Sequence, residues 1–188
     1  QIRDLENQNL ALQNTKTSLN ELEELFDLSK SFQERKIFLG KITDFKKFPK
    51  EIVSVETRSN NITEDMIAFN AFGLIGVIDE LLNNSIKIIP LHNTSIKIPA
   101  KNSRTLENII LVGTGKPKTF QIEEFKKNGD IKEGDEIISS GLGDRFPEGF
   151  LLGRVIEIKE NDESNFLQIT VENTFDFSFG STILFTKP

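Results

Sequence analysis

All twelve glycines and all six prolines of this 188-residue chain lie at or beyond Gly40. These are the strongest local breakers of regular structure, so the chain divides there into two regimes. Residues 1–39 are rich in Leu, Glu, Gln, Asn and Lys, mostly straight-chain side chains that lose little freedom in a helix. That stretch reads as one continuous helix of about thirty to thirty-five residues. Leu5, Leu12, Leu19 and Phe26 recur every seventh residue, and Leu22 thickens the stripe, so Leu5, Leu12, Leu19, Leu22 and Phe26 are the expected self-association seam of a homodimeric coiled coil. Asn9, Lys16 and Glu23 fall on the alternate seam positions, where polar groups weaken pairing.

Beyond Gly40 the pattern becomes short runs of Ile, Val, Phe and Thr between Gly, Pro, Asn and Asp, as strands and turns require. Strands are expected near Ile37–Phe45, Glu51–Thr57, Ala68–Phe72, Leu74–Ile78, Ser85–Leu91 and Ser95–Pro99. A second set follows near Asn108–Val112, Thr119–Ile122, Glu136–Ser139, Leu152–Lys159, Phe166–Glu172 and Thr182–Phe185. The expected fold class is mainly β with one long N-terminal α-helix. It comprises a coiled-coil helix (1–36) followed by two small β-barrel-like domains, 37–100 and 101–188, the C-terminal strand being able to return to the first. Gly73-Leu74-Ile75-Gly76-Val77-Ile78 is echoed by Gly149-Phe150-Leu151-Leu152-Gly153-Arg154-Val155-Ile156. In each, the first glycine suits a turn and the second a place where a small barrel bends sharply.

Chemistry is sparse. The net charge of −6 argues against a nucleic-acid grip, and the absence of cysteine removes disulfides, thiolate metal sites and thiol nucleophiles together. His92 is the sole histidine, in a Pro90-Leu91-His92-Asn93-Thr94 turn that reads as an exposed loop. No Gly-x-Ser-x-Gly elbow occurs, Ser139-Ser140-Gly141-Leu142-Gly143 being the nearest approach. Gly113-Thr114-Gly115-Lys116 lacks the spacing and hydroxyl of a phosphate loop, since Pro117 follows. Asp135-Glu136 reads as a solvated turn pair rather than a metal site. Neither a catalytic residue nor a metal or cofactor site is expected. Among sixteen Phe, Phe175, Phe177 and Phe179 alternate with polar residues, which places them on one face of an extended segment, packed inward or forming a partner ridge.

The segment Ile131-Lys132-Glu133-Gly134-Asp135-Glu136-Ile137-Ile138-Ser139-Ser140-Gly141-Leu142-Gly143-Asp144-Arg145-Phe146-Pro147-Glu148-Gly149-Phe150-Leu151-Leu152-Gly153-Arg154-Val155 resembles the signature of the MreC family, V-G-D-x-V-x-T-S-G-L-G-G-x-F-P-x-G-x-x-V-G-x-V. Ser139 replaces the usual Thr, Asp144-Arg145 a small Gly-containing pair, and Leu152 a Val. The resemblance implies a non-catalytic periplasmic scaffold of the cell-elongation complex. Such a scaffold would bind and activate the elongation penicillin-binding transpeptidase in peptidoglycan synthesis, maintaining rod cell shape. It further implies MreB and MreD as partners and an inner-membrane anchor upstream of Gln1. Phe146 and Phe150, or Phe175, Phe177 and Phe179, would then supply the exposed synthase contact. Two other readings are a periplasmic adaptor of a transport system and a degenerate serine hydrolase using His92. The adaptor order usually places β-sequence before its helix, which this chain lacks.

Overall fold

The computed structural model describes residues 36–46, 51–70, 73–83, 85–160, 163–173 and 182–187. They form twelve strands: β1 (Phe38–Lys46), β2 (Ile52–Thr57), β3 (Ile67–Asn70), β4 (Gly73–Leu81), β5 (Ser85–Pro90), β6 (Lys97–Asn102), β7 (Asn108–Gly113), β8 (Thr119–Lys126), β9 (Glu136–Ser139), β10 (Leu151–Lys159), β11 (Phe166–Glu172) and β12 (Thr182–Thr186). Most sit where branched and aromatic side chains alternate with polar ones, as in β11, where Leu167, Ile169 and Val171 turn inward. The expectation of a mainly β chain with one long helix is corrected: the described chain is all-β, with no helix among the described residues. Leu5, Leu12, Leu19, Leu22 and Phe26 lie outside the described residues, as do Phe175, Phe177 and Phe179.

The strands close into two barrels, ordered β1-β12-β3-β4-β5-β2 and β10-β11-β8-β7-β6-β9, and every neighbouring pair is antiparallel. Closure leaves no unpaired sheet edge. The chain crosses between barrels twice, after β5 and after β11, so the whole second barrel is inserted into the first. β6 already belongs to the second barrel, and β12 pairs with both β1 and β3 to complete the first.

Ile42, Val53, Val55, Ile75, Ile86, Ile88, Ile183 and Phe185 fill the first barrel. Strands β3 and β12 and the first six residues of β4 are buried on both faces, which explains why they read as continuous apolar runs. The outer layer forms two cross-strand rows, Leu184–Phe69–Leu74 and Ile67–Val77–Ile89, all buried. The interior glycines of the two echoed segments have one physical cause. A Cβ on Gly76 would stand 2.3 Å from the Ile89 carbonyl oxygen, and one on Gly153 2.4 Å from that of Glu172. Both strands therefore pass their neighbours at a distance only glycine permits.

At the end of the second barrel remote from the first, a polar network holds the loops. Asp135, expected as a solvated turn residue, is only 8% exposed. Arg104 donates to it from Nε and Nη2 at 2.8 Å each, and binds Asp130 through Nη1 at 2.7 Å. Asn102 Nδ2 at 2.6 Å and the Lys132 amide at 3.0 Å complete its coordination. The Arg104 guanidinium, with help from Asn102 and the Lys132 amide, holds the Asp135 carboxyl well below the usual carboxylate range. A depressed carboxyl stabilises the fold above its unfolded pKa, and that contribution is lost as pH falls toward the folded value. Asp135→Asn is expected to cost about 2 kcal/mol at neutral pH. The difference from the parent should shrink steadily below about pH 4, as urea melts at a series of pH values would show.

Candidate functional site: the joint between the barrels

The family-like segment runs from Ile131, ahead of β9, to Val155 in β10. It forms the β9–β10 connection, whose geometry depends on Ser139. This side chain is fully buried; its hydroxyl donates to the Pro147 carbonyl and accepts from the Phe150 amide at 2.9 Å. The Ser139 amide donates to the Phe150 carbonyl at 2.8 Å, and its own carbonyl accepts from the Gly149 amide at 2.9 Å. One residue thus closes the whole loop from 140 to 149 with main-chain and side-chain bonds. Lys101 ties the loop to β6 by pairing with Glu148, which lowers the Glu148 carboxyl below its ordinary value.

Phe146 and Phe150 were expected as exposed contact rings, and here the structure corrects the sequence reading: they are 2% and 8% exposed. Pro147 and the Ser139 bonds turn the loop back on itself, so both rings go under it rather than out. Arg145 lies 6.0 Å above the Phe146 ring, at the limit of a cation–π contact. The Phe150 ring meets Phe69 of the first barrel edge-on, with centroids 5.6 Å apart and planes at 70°. Beside it, β10 lies against β4. Gly73 has φ +138°, and a Cβ there would stand 2.8 Å from the Leu151 carbonyl oxygen. The outer layer of the first barrel therefore continues into the second through Phe69, Gly73, Phe150 and Leu151.

A second tie forms at the first crossing between the barrels. His92, read from sequence as an exposed loop residue, is 4% exposed, with Nε2 2.7 Å from Glu51 Oε2 at the start of β2. Its carbonyl accepts from the Gly115 amide at 2.7 Å, joining the same residue to the β7–β8 turn. The Gly113-Thr114-Gly115 segment is thus a structural turn. Among the described residues no cluster of His, Cys, Asp and Glu could hold a metal ion. His92 is engaged with Glu51, and Ser139 with main-chain groups of its own loop; each holds the joint.

Sequence reasoning located the loop and marked Gly73 as a turn glycine, but missed Phe69 and Gly73 as the loop's counterparts and Glu51 as that of His92, because only the closed first barrel brings these residues together.

Two closed six-stranded barrels, one inserted in the other and joined through a glycine-rich loop, define an architectural body. The family described as "Rod shape-determining protein MreC, barrel core" matches residues 41–186. The chain belongs to that family. It is 31% identical to the cell shape-determining protein MreC of Haemophilus influenzae over 97 residues, covering 52% of this chain and 27% of that protein. It is 25% identical to the protein of the same description from Escherichia coli over 115 residues, 61% of this chain and 31% of the relative. With that of Streptococcus pneumoniae it shares 25% identity over 168 residues, 85% of this chain and 61% of the relative. The chain thus spans less than two thirds of each. Among solved structures, MreC from Pseudomonas aeruginosa superposes with a TM-score of 0.73 at 25% identity, covering 80% of this chain and 98% of that one. A complex of a penicillin-binding protein (PBP2) and MreC from Helicobacter pylori matches with a TM-score of 0.61 over 82% of this chain and 99% of that one. At 16% identity that likeness is one of fold.

Two substitutions test the joint. Ser139→Ala leaves the Pro147 carbonyl and Phe150 amide short of a buried partner and is expected to cost about 1–3 kcal/mol. For a chain of this size that is a fall in Tm of about 2–4 °C per kcal/mol by calorimetry. Gly73→Ala drives a methyl into the Leu151 carbonyl and should cost a similar amount, about 1–3 kcal/mol. It should also raise amide exchange in β3, β4 and β10 while sparing β6–β8; uniform exchange across both barrels would refute a local joint.

Proposed function

We propose that this chain is a non-catalytic, extracytoplasmic scaffold that self-associates and holds a penicillin-binding transpeptidase of the cell-elongation machinery, so maintaining rod shape. The observation that carries the reading is the family match from residue 41 to 186, which takes in both barrels and the whole joint. The Helicobacter pylori relative in complex with a penicillin-binding protein supports the choice of partner. The proposed scaffold is anchored to the inner membrane by a segment upstream of Gln1 and works alongside MreB and MreD.

On this reading the joint loop is the contact surface. Phe146 and Phe150 act from beneath, fixing a loop that presents Leu142, 54% exposed, together with Asp144 and Arg145. Phe175, Phe177 and Phe179 form the competing candidate surface, and Leu5, Leu12, Leu19, Leu22 and Phe26 the self-association positions. A rigid loop loses little conformational freedom on binding, which favours a scaffold role.

The test is a titration of the purified chain against the periplasmic part of the penicillin-binding transpeptidase from the same cell. Leu142→Asp is expected to weaken binding at least about tenfold, or 1.4 kcal/mol. Binding unchanged in Leu142→Asp but lost in Phe177→Asp would move the surface to the second candidate, and no binding by the parent would sink the partnership. Separately, Leu12→Asp with Leu19→Asp should convert a dimer to a monomer in sedimentation, and a monomeric parent would refute self-association.

A further inference from the structure

Leu106 is unusual among the described residues. It is 66% exposed, and its backbone has φ 60°, a left-handed conformation that penalises a side chain bearing a Cβ. Gly or Asn is the ordinary occupant of such a position, because neither pays as heavily in strain and neither leaves an aliphatic side chain in water. The turn does not depend on the leucine side chain for its geometry. The Leu106 amide donates to the Asn102 carbonyl at 2.9 Å, and the Asn102 amide to the Glu107 carbonyl at 3.0 Å. Asn102 Oδ1 accepts from the Arg104 amide at 2.8 Å, and the Arg104 guanidinium is clamped on Asp135 and Asp130. A fully bonded, ion-paired hairpin tip therefore holds a strained aliphatic side chain out into solvent. A strained residue of this kind, over-determined by its surroundings, points to use.

The surroundings define what would cover it. Phe166 at the start of β11, 37% exposed, belongs to the same end of the barrel, and Ile110, also 37% exposed, lies midway along β7 below the tip. With the strand ends included, that end carries seven carboxylates, Glu107, Asp130, Glu133, Asp135, Glu136, Glu160 and Glu163, against five cations, Arg104, Lys126, Lys127, Lys132 and Lys159, with Asp130 and Asp135 already bound by Arg104, so the rim keeps a small acidic excess. An anionic lipid surface would be repelled by this rim, whereas a complementary protein surface would be attracted. We propose that the rim of the second barrel remote from the first, centred on Leu106, docks a partner protein that offers an apolar socket bordered by basic residues. The preformed tip enters the socket as its anchor, and the carboxylates set orientation and encounter.

The test separates a structural role from a docking role. If Leu106 serves docking, Leu106→Asn relieves strain, and the purified chain should melt about 2–4 °C higher. In cells, a photo-crosslinking side chain placed at Asn108, beside an intact Leu106, should give one discrete protein adduct. Its yield should fall at least about tenfold with Leu106→Asn, and likewise with Glu107→Lys plus Glu133→Lys, in agreement with an anchor ringed by complementary charge. A lower melting temperature for Leu106→Asn would mean that the leucine is there for the fold. That result, an adduct indifferent to these changes, an adduct with lipid or with a second copy, or no adduct at all would overturn the proposal. None of these readouts depends on the transpeptidase titration, so either reading can fail alone.

Discussion

A sheet with no edge is the constraint on which the rest of this molecule depends. Each barrel is stable only when its last strand pair forms, and in the first barrel that strand is β12, delivered from the other side of an entire second barrel. The pairing of Leu39 with Leu184 and of Phe69 with Leu184 joins residues more than a hundred positions apart. Loop-closure entropy of that kind is recovered only after the intervening strands are in place. The second barrel, whose six strands are contiguous in sequence, needs no such help. The second barrel can thus close on its own six strands, whereas closure of the first waits on β12.

That order gives the glycine-rich segment its meaning. A loop containing two serines and several glycines invites a search for a nucleophile or a phosphate cradle, and the geometry supplies a different account. The Ser139 hydroxyl is used on both sides by main-chain groups, and Phe150 is spent on Phe69. His92 likewise carries a carboxylate on one side and a main-chain amide on its carbonyl. The polar side chains most suggestive of reactivity in the sequence are those bonded at the joint between the two barrels. That arrangement suits the proposed scaffold role, which asks for position at the joint and not for a reactive group.

Much of the strand pattern was legible in the sequence, because alternation is a local property. The expected strands overlap all twelve observed ones. Their ends were harder: β8 continues past Ile122 to Lys126 through Glu123 and Glu124, and β4 continues past Ile78 to Leu81 through Asp79 and Glu80. In both, charged side chains face solvent beyond a register shift, so the polar run looked like a loop. Pro99 read as the end of a strand, yet it lies within β6 opposite Ile110, with its carbonyl accepting from the Ser140 amide. The long amino-terminal helix has no counterpart among the described residues. The burial of Phe146, Phe150, Asp135 and His92 was not legible, because each depends on partners brought near only by tertiary closure. Glycine spacing announced close approaches at Gly76 and Gly153, but could not say which strand would be approached.

The insertion also sets how the body would respond to a pull. β1 and β12, the first and last described strands, are neighbours in one sheet and run antiparallel. Tension applied between them tears at a single pair of strands in the first barrel, and its line of action bypasses the second barrel altogether. Such a pull would reach the second barrel only through the joint at Phe69, Gly73 and His92.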